Sequence, residues 1–180
     1  LIAGLQNRSE GTVRALLGKE LMTENGLLTE QGSSTFWDRS TLYALRGIYI
    51  AGQADRATEF LSHYARRRLL GDHVPYPIEA WPEGSQRHLA AESGLFCRVI
   101  TEGLFGIRPT GFRSFDLTPS MPSGWNRMAL RHIRAFENNF DLVIEKQPDG
   151  FLRVTLAISG CNPRAFRLRQ GASIYAHSRA

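Results

Sequence analysis

The sequence predicts an α+β chain, helical over residues 1–110 and β-structured over 111–180. Three observations carry that division. Apolar residues recur every three or four positions through the first part, the mark of amphipathic helices. After Gly106 that period stops, and strict alternation appears at Phe140, Leu142 and Ile144 and again at Leu152, Val154, Leu156 and Ile158. Between the two alternating runs stands Pro148-Asp149-Gly150, a turn sequence, so the pair reads as a β-hairpin with one buried face.

Taken in order, the first helix is expected near 10–24, where Val13, Leu16, Leu17 and Leu21 form one stripe and Asn25-Gly26 supplies the stop. Residues 27–37 read as a polar loop closing on "FWDR". The second helix follows over 38–52, with Leu42, Leu45, Ile48 and Tyr49 on one face, until Gly52 breaks it. The third, over 54–70, buries Ala57, Phe60, Leu61 and Tyr64. The connection between them is so short that the two helices must be antiparallel neighbours. Gly71 stops the third helix, and "DHVPYPIEAWPEG" reads as an irregular loop whose prolines favour extended backbone at the residues before them. The fourth helix, over 86–105, carries Leu89, Phe96, Val99, Ile100 and Leu104, with Ala90, Ala91, Ser93 and Gly94 small enough for close packing. Met128, Leu130, Phe166 and Leu168 fit further strands, and no internal repeat or low-complexity segment is present.

Composition narrows the function classes. At 180 residues the chain is long enough to bury a core, and 42% hydrophobic with 22% charged residues is ordinary for a globular protein. No apolar run approaches the ~18–20 residues that span a bilayer, so no membrane partner is expected. The formal charge of +5 is spread over arginines, with one cluster at Arg66, Arg67 and Arg68 beside Glu59 and Asp72. A solvated helix face explains that cluster, and no nucleic-acid-binding motif accompanies it. The histidines and the two cysteines, Cys97 and Cys161, lack the spacing of a metal site, so neither metal nor cofactor is expected. Cys97 reads as a small hydrophobe inside a helix. The chain opens at Leu1 without a charged and apolar leader, which suggests a processed or partial chain.

The stretch "YPIEAWPEGSQRH", residues 76–88, holds two carboxylates, Glu79 and Glu83, among prolines and aromatics. A carboxylate beside an aromatic on a stiff loop suits acid/base work on a sugar: the ring offers a face for pyranose C–H groups while the carboxylate positions a water. Capping of the following helix explains the same acids without any function. Glu92, flanked by small residues, is expected to face a crowded or polar interior. The second cluster is "FWDRS" at 36–40: Asp38 and Ser40 each suit a helix N-cap, yet Asp38 and Arg39 also suit sugar hydroxyls, the one accepting and the other donating.

The segments "FWDRSTLYALRGIYIAGQADRATEFL", "PYPIEAWPEGSQRHLAAESGLFCRVITEGLFGI" and "LTPSMPSGWNRMAL", in that order, resemble the C-terminal part of a six-hairpin glycosidase, one of the inverting (α/α)6-barrel glycoside hydrolases that include α-L-rhamnosidases, trehalases and processing α-glucosidases. The resemblance covers residues 35–145. It implies part of a helical barrel followed by a C-terminal antiparallel β-sandwich region, and inverting hydrolysis of a glycosidic bond in a plant or microbial glycan. It places Glu79 as general base, with Glu83 the alternative. Trp37, Asp38, Arg39, Tyr76, Trp81, His88 and Glu92 become the substrate-binding set. The implied partners are an oligosaccharide or glycoside substrate and an N-terminal barrel portion of the same protein carrying the general acid. The implied location is periplasmic or extracellular. A non-catalytic carbohydrate-binding or scaffold module, or a barrel-type lyase or phosphorylase, would use the same aromatics.

Overall fold

A computed structural model describes residues 4–23, 26–28, 34–68, 80–81, 90–111, 114–135, 138–159, 167–168 and 172–178. The chain divides into two compact units, Leu1–Leu104 and Phe105–Ala180. In the first, the order is α1 (Leu5–Leu16), β1 (Met22–Thr23), β2 (Gly26–Leu27), β3 (Phe36–Trp37), α2 (Asp38–Ile50), α3 (Ala54–Arg68), β4 (Ala80–Trp81) and α4 (Ala90–Arg98), which runs on as a π-helical segment, Val99–Leu104.

Helix α2 is the hub. Its Leu42, Leu45, Ile48 and Tyr49 are fully buried, and it packs against α1, α3, α4 and the π-helical segment. It ends in a Schellman motif, with the Gly52 N–H donating to Tyr49 O at 2.9 Å, the Gln53 N–H to Ile48 O at 3.1 Å, and Gly52 at φ +82°. That turn reverses the chain into α3, and the Tyr49 and Thr58 hydroxyls, 2.8 Å apart, tie the two helices together. Burial raises the Tyr49 phenol above its ordinary value, opposed in part by that hydrogen bond. The Tyr64 and Phe96 rings stack at 6.3 Å and join α3 to α4. Against the π-helical segment the approach is close: a Cβ on Gly103 would lie 3.1 Å from the Tyr49 ring.

The barrel expectation is overturned. The other described helices, α1, α3 and α4, pack on α2 instead of standing as hairpin staves around an open axis, so no helical barrel is evident among the described residues. Helix periodicity is satisfied equally by a stave and by a hub, which is why sequence pattern did not separate them. The first helix also lies earlier than expected, at Leu5–Leu16. A turn at Gly18 ends it, and Met22–Thr23 pairs antiparallel with Gly26–Leu27 instead of continuing it.

The second unit contains β5 (Ile107–Gly111), β6 (Ser114–Leu117), β7 (Arg127–Ala135), β8 (Asn138–Lys146), β9 (Leu152–Ser159), β10 (Arg167–Leu168) and β11 (Ala172–Ser178). The expected hairpin is β8–β9, with the buried pairs Phe140↔Ile158, Leu142↔Leu156 and Ile144↔Val154 on one face. Its turn is closed by the Gly150 N–H donating to Gln147 O at 2.9 Å, with Gly150 at φ +85°. Sheet orders are β11-β9-β8-β7 and β10-β6-β5. Phe115 of the three-stranded sheet stacks on Phe140 of the four-stranded one at 5.9 Å, so the two share an apolar interior. The purely antiparallel sandwich is a second correction. Strands β10 and β11 join their neighbours β6 and β9 in parallel, because alternation identifies a strand's buried face and not its direction.

Candidate functional site

Three segments that are distant in sequence meet in the first unit. Strands β3 and β4 pair antiparallel, Phe36 with Trp81 and Trp37 with Ala80. This ladder sets Phe36-Trp37 beside Ala80-Trp81, which fall in two of the segments singled out in the sequence. The residues around Ala80, expected as irregular loop, thus include a short strand. Glu79, Glu83, Tyr76 and His88 lie outside the described residues, as does the Trp81 side chain; Glu79 precedes Ala80, which pairs with Trp37.

The chain passes from β3 directly into α2. Trp37 is the N-cap residue and makes no side-chain cap hydrogen bond, so the expected capping by Asp38 or Ser40 gives way to Asp38 as the first helical residue. There its carboxyl group suits the positive end of the helix. Asp38 is fully buried, whereas Trp37 is 39% exposed. Thr41, one turn on, is buried, with its hydroxyl 3.5 Å from the carbonyl of Leu27.

The third component comes from α4. Glu92 is fully buried, and its Oε1 accepts from Arg39 Nε at 2.7 Å. Its Oε2 is also sealed from solvent and has no hydrogen-bond partner among the described residues. The Arg39 side chain is 53% exposed, so this ion pair joins a half-exposed guanidinium, held at Nε, to a sealed carboxylate. Glu92 thus meets the expectation of a polar interior, and its partner belongs to a neighbouring helix, 53 residues away in sequence. Of the expected site residues whose side chains are described, Arg39 and Glu92 are in contact, and Trp37 and Asp38 adjoin Arg39 in the chain.

A second ionic cluster, which the sequence did not mark as a site, follows along the same helices. Glu102 accepts from Arg46 at 2.6 Å and from Arg98 at 2.5 Å. Burial alone would raise the Glu102 carboxyl, but the Arg98 hydrogen bond and the charges of Arg46 and Arg98 outweigh it and hold the group below the usual value. The same bond raises Arg98. Glu102 lies in the π-helical segment, a geometry that recurs at functional sites but here serves helix packing through Gly103 and this cluster. The one sequence signal was the i, i+4 spacing of Arg98 and Glu102. Cys97 is exposed rather than buried, since it lies on the outward side of α4. No group of three or more metal-ligating side chains occurs among the described residues, and no described helix is long and apolar enough to cross a membrane.

Searches against protein-family models, curated proteins and solved structures find no match to this chain.

Proposed function

We propose that this chain carries the base-bearing and sugar-binding region of a glycoside hydrolase that acts by inversion. The carrying observation is the β3–β4 ladder, which brings the tryptophan-bearing start of α2 against the segment that follows Glu79. An inverting hydrolase needs a carboxylate to activate a water on the face opposite the leaving group, and a second carboxyl group roughly 6.5–9.5 Å away to protonate the leaving oxygen. Glu79 is the proposed base, with Glu83 the alternative, and the acid comes from elsewhere in the same protein. Trp37 and Trp81 supply aromatic faces, while Asp38 and Arg39 supply hydrogen bonds, with Tyr76 and His88 completing the set. The proposed location of such a glycan-degrading enzyme is periplasmic or extracellular, which fractionation of the source cell tests.

The decisive experiment assays the full-length protein against a panel of neutral aryl glycosides, with NMR identification of the first anomer released. Turnover with inverted product is expected, and Glu79→Gln should lower kcat by about 10²–10⁴-fold without unfolding the protein. Sugar binding without turnover would instead identify a carbohydrate-binding module. Retained activity in Glu79→Gln together with loss in Glu83→Gln would move the base to Glu83.

A further inference from the structure

We propose that the outer face of the four-stranded sheet carries a binding site for an oligosaccharide chain: Trp125 and Phe151 stack on its sugar rings, and the Gln147 side chain between them meets its hydroxyl groups. The site lies wholly in the β unit and needs neither Glu79 nor turnover, so it stands apart from the hydrolase reading.

Two large apolar side chains are exposed among the described residues of the β unit, Trp125 at 39% and Phe151 at 59%. Backbone pairing brings both to one end of one sheet. There the Lys146 N–H donates to Asn126 O at 2.9 Å, and the Gln147 N–H donates to Phe151 O at 2.8 Å. Trp125 precedes Asn126, so Trp125 and Phe151 flank the end of β8 from its two sides. Neighbouring strands lie about 4.8 Å apart, which separates the two backbones by about 10 Å. Alternation gives the face. Met128, Ile144 and Val154 are buried, while Arg127, Glu145 and Arg153, abreast in the register, take the outer side. Two residues further towards the end of each strand, Trp125, Gln147 and Phe151 fall on that same outer side.

Both aromatics stand on hydrogen-bonded turns. The Trp125 N–H donates to Pro122 O at 3.0 Å, and the Phe151 N–H donates to Asp149 Oδ1 at 3.0 Å. The backbone under each ring is thus set before a ligand arrives, which lowers the cost of ordering it. The surroundings then decide the ligand class. Arg127, Lys146 and Arg153 mix with Glu145 and Asp149 at this end of the sheet, so no field of one sign draws a polyanion or a polycation. A protein interface has a continuous apolar core depleted of charge, whereas here a polar amide separates the two rings and ionic groups border them. A sugar chain alternates C–H faces with hydroxyls. The C–H faces suit the negative faces of the aromatic rings, and the hydroxyls suit the amide and the ionic groups. One pyranose ring does not span the two aromatics, so the ligand is an oligosaccharide and not a monosaccharide.

The test probes an array of neutral plant and microbial oligosaccharides with the full-length protein, then measures the best binder by calorimetry. Trp125→Ala and Phe151→Ala should each raise its Kd about 10-fold. The methyl glycoside of its constituent sugar should bind about 10-fold more weakly than the oligosaccharide in wild type, and that gap should close in Trp125→Ala. Glu79→Gln should bind the oligosaccharide as wild type does, and Trp125→Ala should leave turnover of any aryl glycoside cleaved by wild type unchanged. The two readings therefore fail separately: loss of turnover in Glu79→Gln bears on the base, and loss of binding in Trp125→Ala bears on the sheet. No bound oligosaccharide on the array, a Kd that neither substitution moves, or equally tight binding of the monosaccharide would each overturn the proposal. Self-association in sedimentation that Phe151→Ala abolishes, with no sugar bound, would make this face a protein interface instead. If Phe151→Ala does not fold, as judged by circular dichroism, Trp125→Ala decides alone.

Discussion

The helical unit and the β unit solve the same packing problem with different materials. Among the described residues, the buried polar and charged side chains, Asp38, Thr41 and Glu92, all belong to the helical unit. The β unit buries apolar side chains such as Phe115, Leu142, Ile144 and Val154. Their ion pairs differ in the same sense. Glu102 is 19% exposed and clamped by two arginines, whereas Glu145 is 38% exposed and meets Arg127 at 3.4 Å. Burying a carboxylate costs roughly what its pairing returns, so a unit that does so gains little net stability from it. The difference is one of buried polar groups, which among the described residues lie in the helical unit.

The largest expected effect belongs to the β unit. Gly106 sits at φ +65°, and a Cβ there would lie 1.8 Å from the carbonyl oxygen of Thr118, whose own N–H donates back to Gly106 O at 3.0 Å. Backbone meets backbone, so nothing flexible can yield. Gly106→Ala should destabilise the β unit by more than about 3 kcal/mol in denaturant titration. Unfolding by a smaller amount would mean that β5 and β6 separate easily.

Next come the two apolar cores. Leu142 and Leu45 are both fully buried, one in each unit. Leu142→Ala and Leu45→Ala should each cost about 2–5 kcal/mol by the same measurement. Similar values would sharpen the contrast, confining the difference between the units to their polar groups. A much cheaper Leu45→Ala would break it, showing that the helical core is loosely packed.

These buried positions were the legible part of the sequence. The stripe at Leu42, Leu45, Ile48 and Tyr49 marked the inner face of α2, and the alternation from Phe140 to Ile144 marked that of β8. Each is a local repeat, and local geometry repeats with it. What stayed hidden was set by long-range pairing. No period announces that α2 is a hub, that β11 runs parallel to β9, or that Arg39 reaches Glu92 across 53 positions. In the candidate site, Trp37, Asp38, Arg39 and Glu92 were singled out in the sequence, but the contact between Arg39 and Glu92 was not. The ladder that joins Trp37 to Ala80 is only two residues long, too short to leave a pattern.

A smaller effect tests the ionic side of the helical unit. Arg98 and Arg46 hold the folded Glu102 carboxyl below its ordinary value of 4.5. A depressed folded value contributes stability that is present above 4.5 and is lost as the pH falls through the folded value. Glu102→Gln should therefore cost about 1 kcal/mol near neutral pH, with the difference from wild type shrinking in acid below the ordinary value. A difference that stays constant from neutral pH into strong acid would assign Glu102 a packing role instead.

The smallest effect is expected on the edge strand of the β unit. Arg127 and Glu145 face each other across β7 and β8, 3.4 Å apart, with side chains 51% and 38% exposed. Water and salt screen such a pair, and holding two long side chains in one geometry offsets what attraction remains. Glu145→Gln keeps the shape and the cross-strand contact while removing the charge. Its stability should stay within about 0.5 kcal/mol of wild type, and the difference should vanish at high salt. The same salt titration on Glu102→Gln should leave more of its effect in place, because Glu102 is better covered and is held by two arginines. Equal salt sensitivity in the two variants would erase the electrostatic distinction between the units, and the buried carboxylates of the helical unit would then stand alone as its distinguishing feature.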